Sequence, residues 1–371
     1  MCQRNRFSNK TVVPQVLLSN LYWISRLPTE SCLMSKPRIV TCFPVTDSQI
    51  DQMRGVAGDD YDVLKSSQEA IHEDIFSADI FCGHVKTKKP VDWSKIVSQG
   101  KLKWIQSSAA GLDHCLAPPV IDSPIVVSGC SALFSRQVAE TSMALLISLV
   151  RSMPVFFRAQ QKKEYVRRPT DDMHNKKIGI GFGGNGYRIA KTLRPMVGEI
   201  IATDLFPEAV QHAVEGGVVD AVHPADALED VVSQCDVTIL TLPLSEANEK
   251  RFGEEQFSAM KEGAYFINVG RGSVVDQDAL IRHLQNGHLT GAGIDVADPE
   301  PIEQDCPLWE MENVVITPHV GAQSAWRVPL TVDFFCENLQ NYTEGRPLMN
   351  LVDKPLGFPR PKDRVELGGR W

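Results

Sequence analysis

A glycine-rich stretch between two apolar patterns constrains the fold of this chain more than any other part of its sequence. Residues 176–193 read KKIGIGFGGNGYRIAKTL, in which alternating isoleucines precede the spacing G-x-G-x-x-G and apolar residues at helical intervals follow it. The three glycines, Gly181, Gly183 and Gly186, permit a tight turn, a close approach to a ligand and close packing of a helix on a strand. The stretch therefore predicts a strand, a turn and a helix that begin a βαβ unit.

The residues after this turn predict a dinucleotide site. The N-terminus of the predicted helix offers free N–H groups to a pyrophosphate. A second apolar run, EIIATD, ends at Asp204, and seventeen residues separate Gly186 from Asp204. A carboxylate at that spacing accepts a hydrogen bond from a ribose 2′-hydroxyl and repels a 2′-phosphate, and residues 205–207 include no arginine to hold that phosphate. We predict NAD rather than NADP; a flavodoxin-like turn without a nucleotide is the alternative.

Three residues with complementary chemistry each follow a short apolar run in the second half of the chain. Arg271 follows AYFINVG, Glu300 follows GAGIDVADP and His319 follows NVVITP. Because the carboxyl ends of strands border the ligand crevice in an open α/β sheet, the three side chains are predicted to meet there. Taken singly, each has an ordinary alternative, which is an arginine in a solvated turn, a glutamate facing water or a histidine with a structural role.

The combination suits the reduction of a 2-keto acid or the oxidation of a 2-hydroxy acid. An arginine grips a carboxylate bidentately, and its positive field favours the alkoxide that develops at the carbonyl. A histidine donates and accepts a proton near neutral pH, and a neighbouring carboxylate favours its protonated form and fixes its orientation. Because a nicotinamide cofactor carries the hydride, the protein has to bind and orient the substrate and to exchange a proton with it.

These motifs, in this order, resemble those of the D-2-hydroxyacid dehydrogenase family (D-isomer-specific 2-hydroxyacid dehydrogenases). The resemblance runs from about residue 37 to residue 353. QSSAAGLDH is similar to the family's substrate loop, RQVAETSMALLISLVR to the helix that links its two domains, and CDVTILTLPLSEAN to the strand and turn beside the cofactor. ENLQNYTEGRPLMNLVD is similar to the closing helix and tail of the family.

The resemblance implies a role for each matching residue. Arg271 is expected to hold the substrate carboxylate and keto oxygen, His319 to donate and accept the proton, and Glu300 to pair with His319. Ala110 and Gly111 are expected to offer backbone N–H groups to the substrate carboxylate, and Asp295 to contact the nicotinamide carboxamide. The implied cofactor contacts are Gly181, Gly183, Gly184, Asn185, Gly186, Asp204, Leu242, Pro243, Val269, Asp295 and His319.

The resemblance restricts the type of reaction more than it restricts the identity of the substrate. Formate dehydrogenases, which share this fold, carry glutamine where this chain has Glu300, because their reaction leaves no alkoxide to protonate; formate oxidation is therefore set aside. Glyoxylate or hydroxypyruvate reduction and phosphoglycerate oxidation are the candidate reactions. Some relatives on the same fold bind NAD(H) as sensors and act as transcriptional co-repressors, and such a binding protein is the alternative function.

The predicted fold class is α/β, with two Rossmann- or flavodoxin-like parallel-sheet domains and the active site in the cleft between them. A discontinuous substrate domain is predicted over residues 35–132 and 321–353, where the runs RIVTCFPV, YDVLKSS, ADIFCGHV, LKWIQSS and PIVVSG read as strands. The cofactor domain is predicted over residues 133–320. Residues 1–34 read as a disordered extension or as sequence ahead of the true start, with a targeting segment as the alternative. A poorly ordered tail is predicted over residues 354–371.

Composition argues against several other classes of protein. A net charge of −8 without a concentrated basic patch argues against a nucleic-acid partner. The apolar run ALLISLV is far shorter than the roughly 20 residues that cross a bilayer, so no membrane span is predicted. Nine scattered cysteines without metal-ligand spacing predict reduced thiols in the cytoplasm and no metal site. The resemblance also implies a homodimer, with residues 136–165 in the interface or, alternatively, simply in the core.

Overall fold

Two parallel β-sheets flanked by helices organise the residues that the computed structural model describes, which are 36–87, 89–245 and 247–365. The predicted N-terminal extension lies outside these described residues. Helices on both faces of parallel sheets are the arrangement that defines α/β proteins, so the predicted fold class is confirmed.

The first sheet has five parallel strands in the order β2-β1-β3-β4-β5. Its strands are β1 (Arg38–Cys42), β2 (Asp62–Lys65), β3 (Ile80–Gly83), β4 (Trp104–Ser107) and β5 (Val126–Ser128). Its helices are α1 (Asp47–Ala57), α2 (Ile71–Asp74), α3 (Trp93–Gln99) and α4 (Pro118–Ile121). Strands β3 and β4 are buried at every position because helices cover both faces of the sheet. Each of the five predicted strand runs contains one of these strands.

Two helices lead to the second sheet, which has seven parallel strands in the order β12-β11-β10-β9-β6-β7-β8. The leading helices are α5 (Ser135–Val150) and α6 (Met153–Lys162). The strands are β6 (Lys177–Gly181), β7 (Glu199–Asp204), β8 (Ala221–Pro224), β9 (Val237–Leu240), β10 (Ala264–Asn268), β11 (Leu289–Ile294) and β12 (Val314–Ile316). The helices are α7 (Gly183–Leu193), α8 (His212–Glu215), α9 (Leu228–Val232), α10 (Glu254–Ala259) and α11 (Gln277–Gln285).

Helix α5 packs closely on the second sheet because β11 carries glycines beneath it. A Cβ atom on Gly293 would lie 2.8 Å from Leu145 Cβ, and one on Gly291 would lie 3.1 Å from Leu149 Cδ2. The later helix α12 (Arg327–Thr343) instead joins the core of the first sheet, where Phe335 is fully buried. The chain thus returns to the first sheet after completing the second, although the predicted domain boundaries stay predictions.

The segment after α12 corrects one prediction. Strand β13 (Val352–Asp353) pairs antiparallel with β14 (Phe358–Pro359), and the Val365 backbone N–H donates to Asn350 Oδ1 at 2.9 Å. The prediction of a poorly ordered tail from residue 354 was therefore wrong as far as residue 365. The prediction failed because side chains from distant parts of the sequence form hydrogen bonds with the backbone of this segment, and composition does not reveal such bonds. Residues 366–371 lie outside the described residues.

Three further properties of the described residues bear on earlier expectations. The seven cysteines among them are all free, and no cluster of three or more histidine, cysteine or acidic side chains in this part of the chain could hold a metal ion. No single helix here has the length and apolar composition of a membrane span; only α5 and α6 together do, with a bend of 69° between them.

Candidate active site

The glycine-rich turn between β6 and α7 forms an open cradle at the point where the strand order reverses. Gly183 has a φ of +71°, and a Cβ atom there would meet nothing within 4 Å, so the backbone faces open space. A Cβ atom on Gly186 would lie 2.2 Å from Gly181 O, and one on Gly184 would lie 2.6 Å from Ala132 Cβ. These positions require glycine, and the first turn of α7, which includes Asn185, presents backbone N–H groups to the crevice.

Asp204 ends β7 beside this cradle, where the sequence predicted the ribose-binding acid. It is 8% exposed. Its Oδ2 accepts the Gly183 N–H at 3.1 Å and its Oδ1 accepts the Phe206 N–H at 2.8 Å. The two bonds fix the carboxylate at the rim of the turn, and each oxygen keeps a lone pair for a ribose hydroxyl.

The turn after β9 lines the other side of the crevice. Leu242 packs over Gly181, with Cδ2 at 3.2 Å from the position of a Cβ atom on that glycine. The Pro243 carbonyl accepts from Asn248 Nδ2 at 2.5 Å, which holds the turn, and the Val269 N–H donates to Leu240 O at 3.0 Å. Glycines facing open space, a fixed carboxylate and an apolar wall fit a dinucleotide, so these residues could hold a nicotinamide cofactor.

Arg271 lies just beyond the fully buried strand β10, between two glycines that let its loop touch both neighbouring loops. A Cβ atom on Gly270 would lie 2.7 Å from Leu242 O, and one on Gly272 would lie 1.8 Å from Ala297 O. The first contact joins Arg271 to the cofactor turn, and the second joins it to the segment that carries Glu300. The Gly-Arg-Gly sequence is thus explained by close backbone approach on both sides of the arginine.

The guanidinium of Arg271 spans from the second sheet to the loop after β4. Its Nε donates to Asp113 Oδ2 at 3.0 Å and its Nη1 to Gly270 O at 2.7 Å. Its Nη2 lies only 1.3 Å from where a Cβ atom on Gly111 would be. Among the described residues, the backbone N–H groups of Ala110 and Gly111 have no hydrogen-bond acceptor. One arginine and two free N–H groups therefore converge there, which suits an anionic substrate.

His319 and Glu300 form a hydrogen-bonded pair at the ends of β12 and β11. His319 Nδ1 and Glu300 Oε2 are 2.9 Å apart, and Glu300 Oε1 accepts the Ala297 N–H at 3.1 Å. A carboxylate can only accept, so Nδ1 carries the proton and Nε2 is left for a bound substrate. Burial by itself raises the pKa of Glu300. His319, the Ala297 N–H and Arg271 together lower this pKa by a larger amount, so it lies below the ordinary value.

The loop that carries His319 is fixed by Asp295. His319 has a φ of +53°, which is uncommon for a residue other than glycine, and its N–H donates to Asp295 O at 2.8 Å. The buried Asp295 carboxylate accepts from Thr317 Oγ1 at 2.6 Å, Val320 N at 2.9 Å and Gly321 N at 2.8 Å. Such backbone strain persists only where the surroundings hold it. Asp295 thus positions the histidine loop, and its contact with the carboxamide stays a prediction.

Sequence reasoning missed a partly buried pair of stacked histidines near Arg271. The rings of His84 and His114 are 3.9 Å apart between centroids and 9° from parallel. Burial is the main cause that lowers the pKa of His84 to about 3 and that of His114 to about 4. Both rings are therefore neutral near pH 7. Nothing in the sequence pairs His84 with His114, because the two residues lie 30 positions apart in unrelated segments of the chain.

Asp113 was also missed as the partner of Arg271. It lies in the same QSSAAGLDH segment as Ala110 and Gly111, but Arg271 follows it by 158 positions along the chain. The signal that could have found it is local, because a carboxylate two residues after the predicted anion-binding N–H groups would repel an anionic substrate unless a cation lay nearby.

A protein with these two sheets and this cleft belongs to the class of dinucleotide-dependent α/β oxidoreductases. Residues 143–321 match the family described as D-isomer specific 2-hydroxyacid dehydrogenase, NAD binding domain. A glyoxylate/hydroxypyruvate reductase B from Klebsiella pneumoniae is 32% identical over 246 residues, which cover 65% of this chain and 75% of that protein.

Two solved structures have the same fold. A D-isomer specific 2-hydroxyacid dehydrogenase from Xanthobacter autotrophicus Py2, in complex with NADPH and MES, is 24% identical with a TM-score of 0.71, covering 87% of this chain and 100% of that one. An NADPH-dependent glyoxylate/hydroxypyruvate reductase from Sinorhizobium meliloti, in complex with NADP and sulfate, is 22% identical with a TM-score of 0.71 and the same coverage of both chains.

The chain belongs to the D-isomer specific 2-hydroxyacid dehydrogenase family. It is therefore an oxidoreductase that uses a nicotinamide cofactor and acts on a small hydroxy or keto acid.

Proposed function

We propose that this protein interconverts a small 2-keto acid and the corresponding D-2-hydroxy acid with NAD(H), and that Arg271, Glu300 and His319 carry the chemistry. The observation that carries this proposal is the hydrogen-bonded pair of His319 and Glu300, which are 2.9 Å apart. The positive charge of Arg271 lies close enough to help lower the pKa of Glu300. A cation for the substrate carboxylate and an acid for its oxygen are the two groups that the reaction needs.

Each residue then has a defined task in the reduction. When bound, the nicotinamide cofactor supplies the hydride. Arg271 and the N–H groups of Ala110 and Gly111 bind the carboxylate of the keto acid and place its carbonyl group. His319 Nε2 gives its proton to the carbonyl oxygen as negative charge develops there, and Glu300 stabilises the protonated imidazole before the transfer. In oxidation, the neutral imidazole takes the hydroxyl proton.

Arg271 has to bind the substrate while it stays paired with Asp113. Its ion pair with Asp113 is half-exposed on the carboxylate side, so the charges are already partly solvated and the pair is weak. A substrate carboxylate can engage the remaining nitrogens of the guanidinium while Nε keeps Asp113. Asp113 then keeps the guanidinium of Arg271 in the orientation that binds the substrate carboxylate.

Asp204 supports NAD(H) as the preferred cofactor. Its buried carboxylate lies where a ribose 2′-hydroxyl binds in dinucleotide folds. The two solved relatives described above contain NADPH and NADP, so the preference is a proposal for this chain. A higher kcat/KM with NADH than with NADPH is expected, and the reverse order would contradict it.

Glyoxylate and hydroxypyruvate are the first candidate substrates, because the Klebsiella relative is named for them. Phosphoglycerate oxidation is the other candidate reaction. The test is NADH oxidation, followed by absorbance, with glyoxylate, hydroxypyruvate, pyruvate, phenylpyruvate and 2-ketoisocaproate, and phosphoglycerate oxidation with NAD. Turnover with one of them supports the proposal. Tight NADH binding without turnover on any would contradict it and favour the NAD(H)-sensing alternative.

A cytoplasmic homodimer completes the proposal. The free cysteines of the described residues suit a reducing compartment. In the predicted interface segment 136–165, Leu145, Leu146 and Leu149 are buried in the core, whereas Phe157 is 53% exposed and Tyr165 is 92% exposed. We therefore place the dimer contact on α6 and the residues that follow it. Sedimentation of the intact protein at micromolar concentration as a monomer would contradict the dimer.

A further inference from the structure

The C-terminal strap, defined as residues 350–365, has both ends fixed against the first sheet. Asn350 Nδ2 donates to Ser131 O at 2.9 Å, and Asn350 Oδ1 accepts the Val365 N–H at 2.9 Å. Lys354 Nζ donates to three carbonyl oxygens before β5, those of Val120, Ser123 and Ile125. These bonds hold the strap in one path across the protein.

The middle of the strap reaches the strand ends of the second sheet. A Cβ atom on Gly357 would lie 3.7 Å from Leu244 O, in the turn that follows β9. The guanidinium carbon of Arg360 lies 5.9 Å from the centre of the Phe206 ring, and Phe206 is two residues beyond Asp204. The strap therefore borders the cofactor site on the side where the adenosine ribose is expected.

Two arginines of the strap are held beside Asp204. Arg360 Nε pairs with Asp353 Oδ2 at 2.5 Å, and Arg364 Nε donates to Pro359 O at 2.9 Å. Among the described residues, the terminal nitrogens of both guanidinium groups have no hydrogen-bond acceptor. Burial lowers the pKa of Arg364 and the charge of Asp204 opposes that shift, although no ion pair joins the two groups within the described part of the chain.

We propose that Arg360 and Arg364 form a subsite for a 2′-phosphate on the adenosine ribose, so that the protein binds NADP(H) as well as NAD(H). A guanidinium binds phosphate through charge-assisted hydrogen bonds, and the guanidinium of Arg360 lies over the ring of Phe206, two residues beyond Asp204. Arg360 already pairs with Asp353 and offers its terminal nitrogens, whereas Arg364 has no ion pair among the described residues and offsets the repulsion between Asp204 and a 2′-phosphate. This inference rests on the proposed function only in taking Asp204 as the ribose-binding residue.

The test compares two ligands that differ only in the 2′-phosphate, adenosine 2′,5′-bisphosphate and 5′-AMP, by calorimetry on the full chain. Arg360→Gln and Arg364→Gln should each raise the Kd for the bisphosphate about tenfold, which is the loss of one hydrogen bond to a charged group, and change the Kd for 5′-AMP less than twofold. The control is Arg346→Gln, which removes an arginine that pairs with Glu344 away from the strap. It should leave both Kd values unchanged.

The outcomes separate this inference from the proposed function. Equal weakening of both ligands, or no change in either, would mean that the strap does not recognise the phosphate. Binding of neither ligand to the unaltered protein would instead contradict the nucleotide site itself. Because Arg364 is largely buried, thermal unfolding is measured for its variant; if that variant is unfolded, Arg360→Gln decides. Asp204→Asn should tighten bisphosphate binding, and weaker binding would contradict the proposed balance of charge.

Discussion

At the scale of single residues, the site depends on positions where a side chain would collide with a charged group. Gly111 is the sharpest case, because Arg271 Nη2 occupies the space of its missing Cβ atom. At Gly272, a Cβ atom would collide with the backbone carbonyl of Ala297. The absence of a side chain at these glycines thus allows the arginine loop to reach both the substrate loop and the segment that carries Glu300.

Gly111→Ala is expected to displace the Arg271 guanidinium and lower kcat/KM at least about 100-fold, because a shift of about 1 Å in a positioning group can cost that much. NADH affinity should be unchanged, since the cofactor cradle lies elsewhere. Steady-state kinetics and cofactor titration measure the two effects. Gly55→Ala is the control, because a Cβ atom there meets nothing within 4 Å. Normal activity of Gly111→Ala would show that Arg271 does not bind substrate from this position.

His319→Gln is expected to lower kcat by about 10²- to 10⁴-fold, which is the usual contribution of a general acid–base group. The Kd for NADH, measured by fluorescence, should change little because the glycine cradle is untouched. Gln keeps a polar side chain of similar size, so a loss of folding is not expected. Retention of kcat within a factor of ten would remove His319 from the chemistry.

Glu300→Gln is expected to move the pH dependence of reduction to lower pH. The pKa of Glu300 is lowered, so the carboxylate is charged at neutral pH and favours the protonated imidazole that reduction requires. Without that charge, the protonated imidazole is stabilised less, so reduction declines at a lower pH than in the unaltered protein. A profile of kcat/KM against pH measures the shift. Glu303→Gln, an exposed neighbour, is the control; an unshifted profile for Glu300→Gln would contradict the pairing.

At the scale of elements, the ends of parallel strands place the reactive groups and the loops after them are held by buried polar bonds. The loop after β12 is the clearest example, because Asp295 at the end of β11 accepts three hydrogen bonds from it. A strained residue at its centre, His319, is kept in place by these bonds. The loop therefore behaves as a rigid extension of two neighbouring strands.

Asp295→Asn is expected to loosen this loop. The Val320 N–H donates to Oδ1 and the Gly321 N–H donates to Oδ2, so replacing one carboxylate oxygen with an amide NH₂ group leaves one of these two donors unpaired, which costs about 1–3 kcal/mol of unfolding free energy. We expect kcat to fall while the KM for substrate changes little. Denaturant unfolding and kinetics measure both. Asp298→Asn, at an exposed position on the same strand end, should change neither quantity.

At the scale of the whole molecule, the stacked histidines tie the stability of the fold to pH. His84 is desolvated and also faces His114, Lys86 and Arg327, all of which lower its pKa, and Asp113, which raises it. A histidine whose pKa is lower in the folded protein than in the unfolded chain stabilises the fold fully above the unfolded pKa near 6.5. That stability is lost progressively as pH falls from there toward about 3 to 4.

His84→Gln is expected to make the protein less sensitive to acid. Between pH 7 and pH 5, the unaltered protein should lose on the order of 2 kcal/mol per buried histidine, and the variant should lose about half of the total. Urea unfolding at the two pH values measures the difference. His174→Gln, at an exposed position, should keep the full pH dependence. An equal loss for His84→Gln and the unaltered protein would mean that the pair does not control acid stability.

The sequence by itself determined what depends on neighbouring residues. The alternation of apolar residues predicted the strands, and the spacing of the glycines predicted the turn between β6 and α7. The apolar runs before Arg271, Glu300 and His319 predicted that these residues follow strand ends. These features follow from backbone geometry and from the burial of apolar side chains over short distances. The hydrogen bond between His319 and Glu300 was predicted from the resemblance and lies at 2.9 Å in the structure.

Only the tertiary structure decided the contacts between residues that are far apart in the chain. Asp113 meets Arg271, His84 stacks on His114, and the strap brings Arg360 over Phe206, just beyond the end of β7. The rule that looked for an arginine directly after Asp204 could not find one that arrives from the C-terminus. The physical reason is that short stretches of sequence encode periodicity and turn geometry, whereas desolvation and charge pairing depend on which surfaces the folded chain brings together.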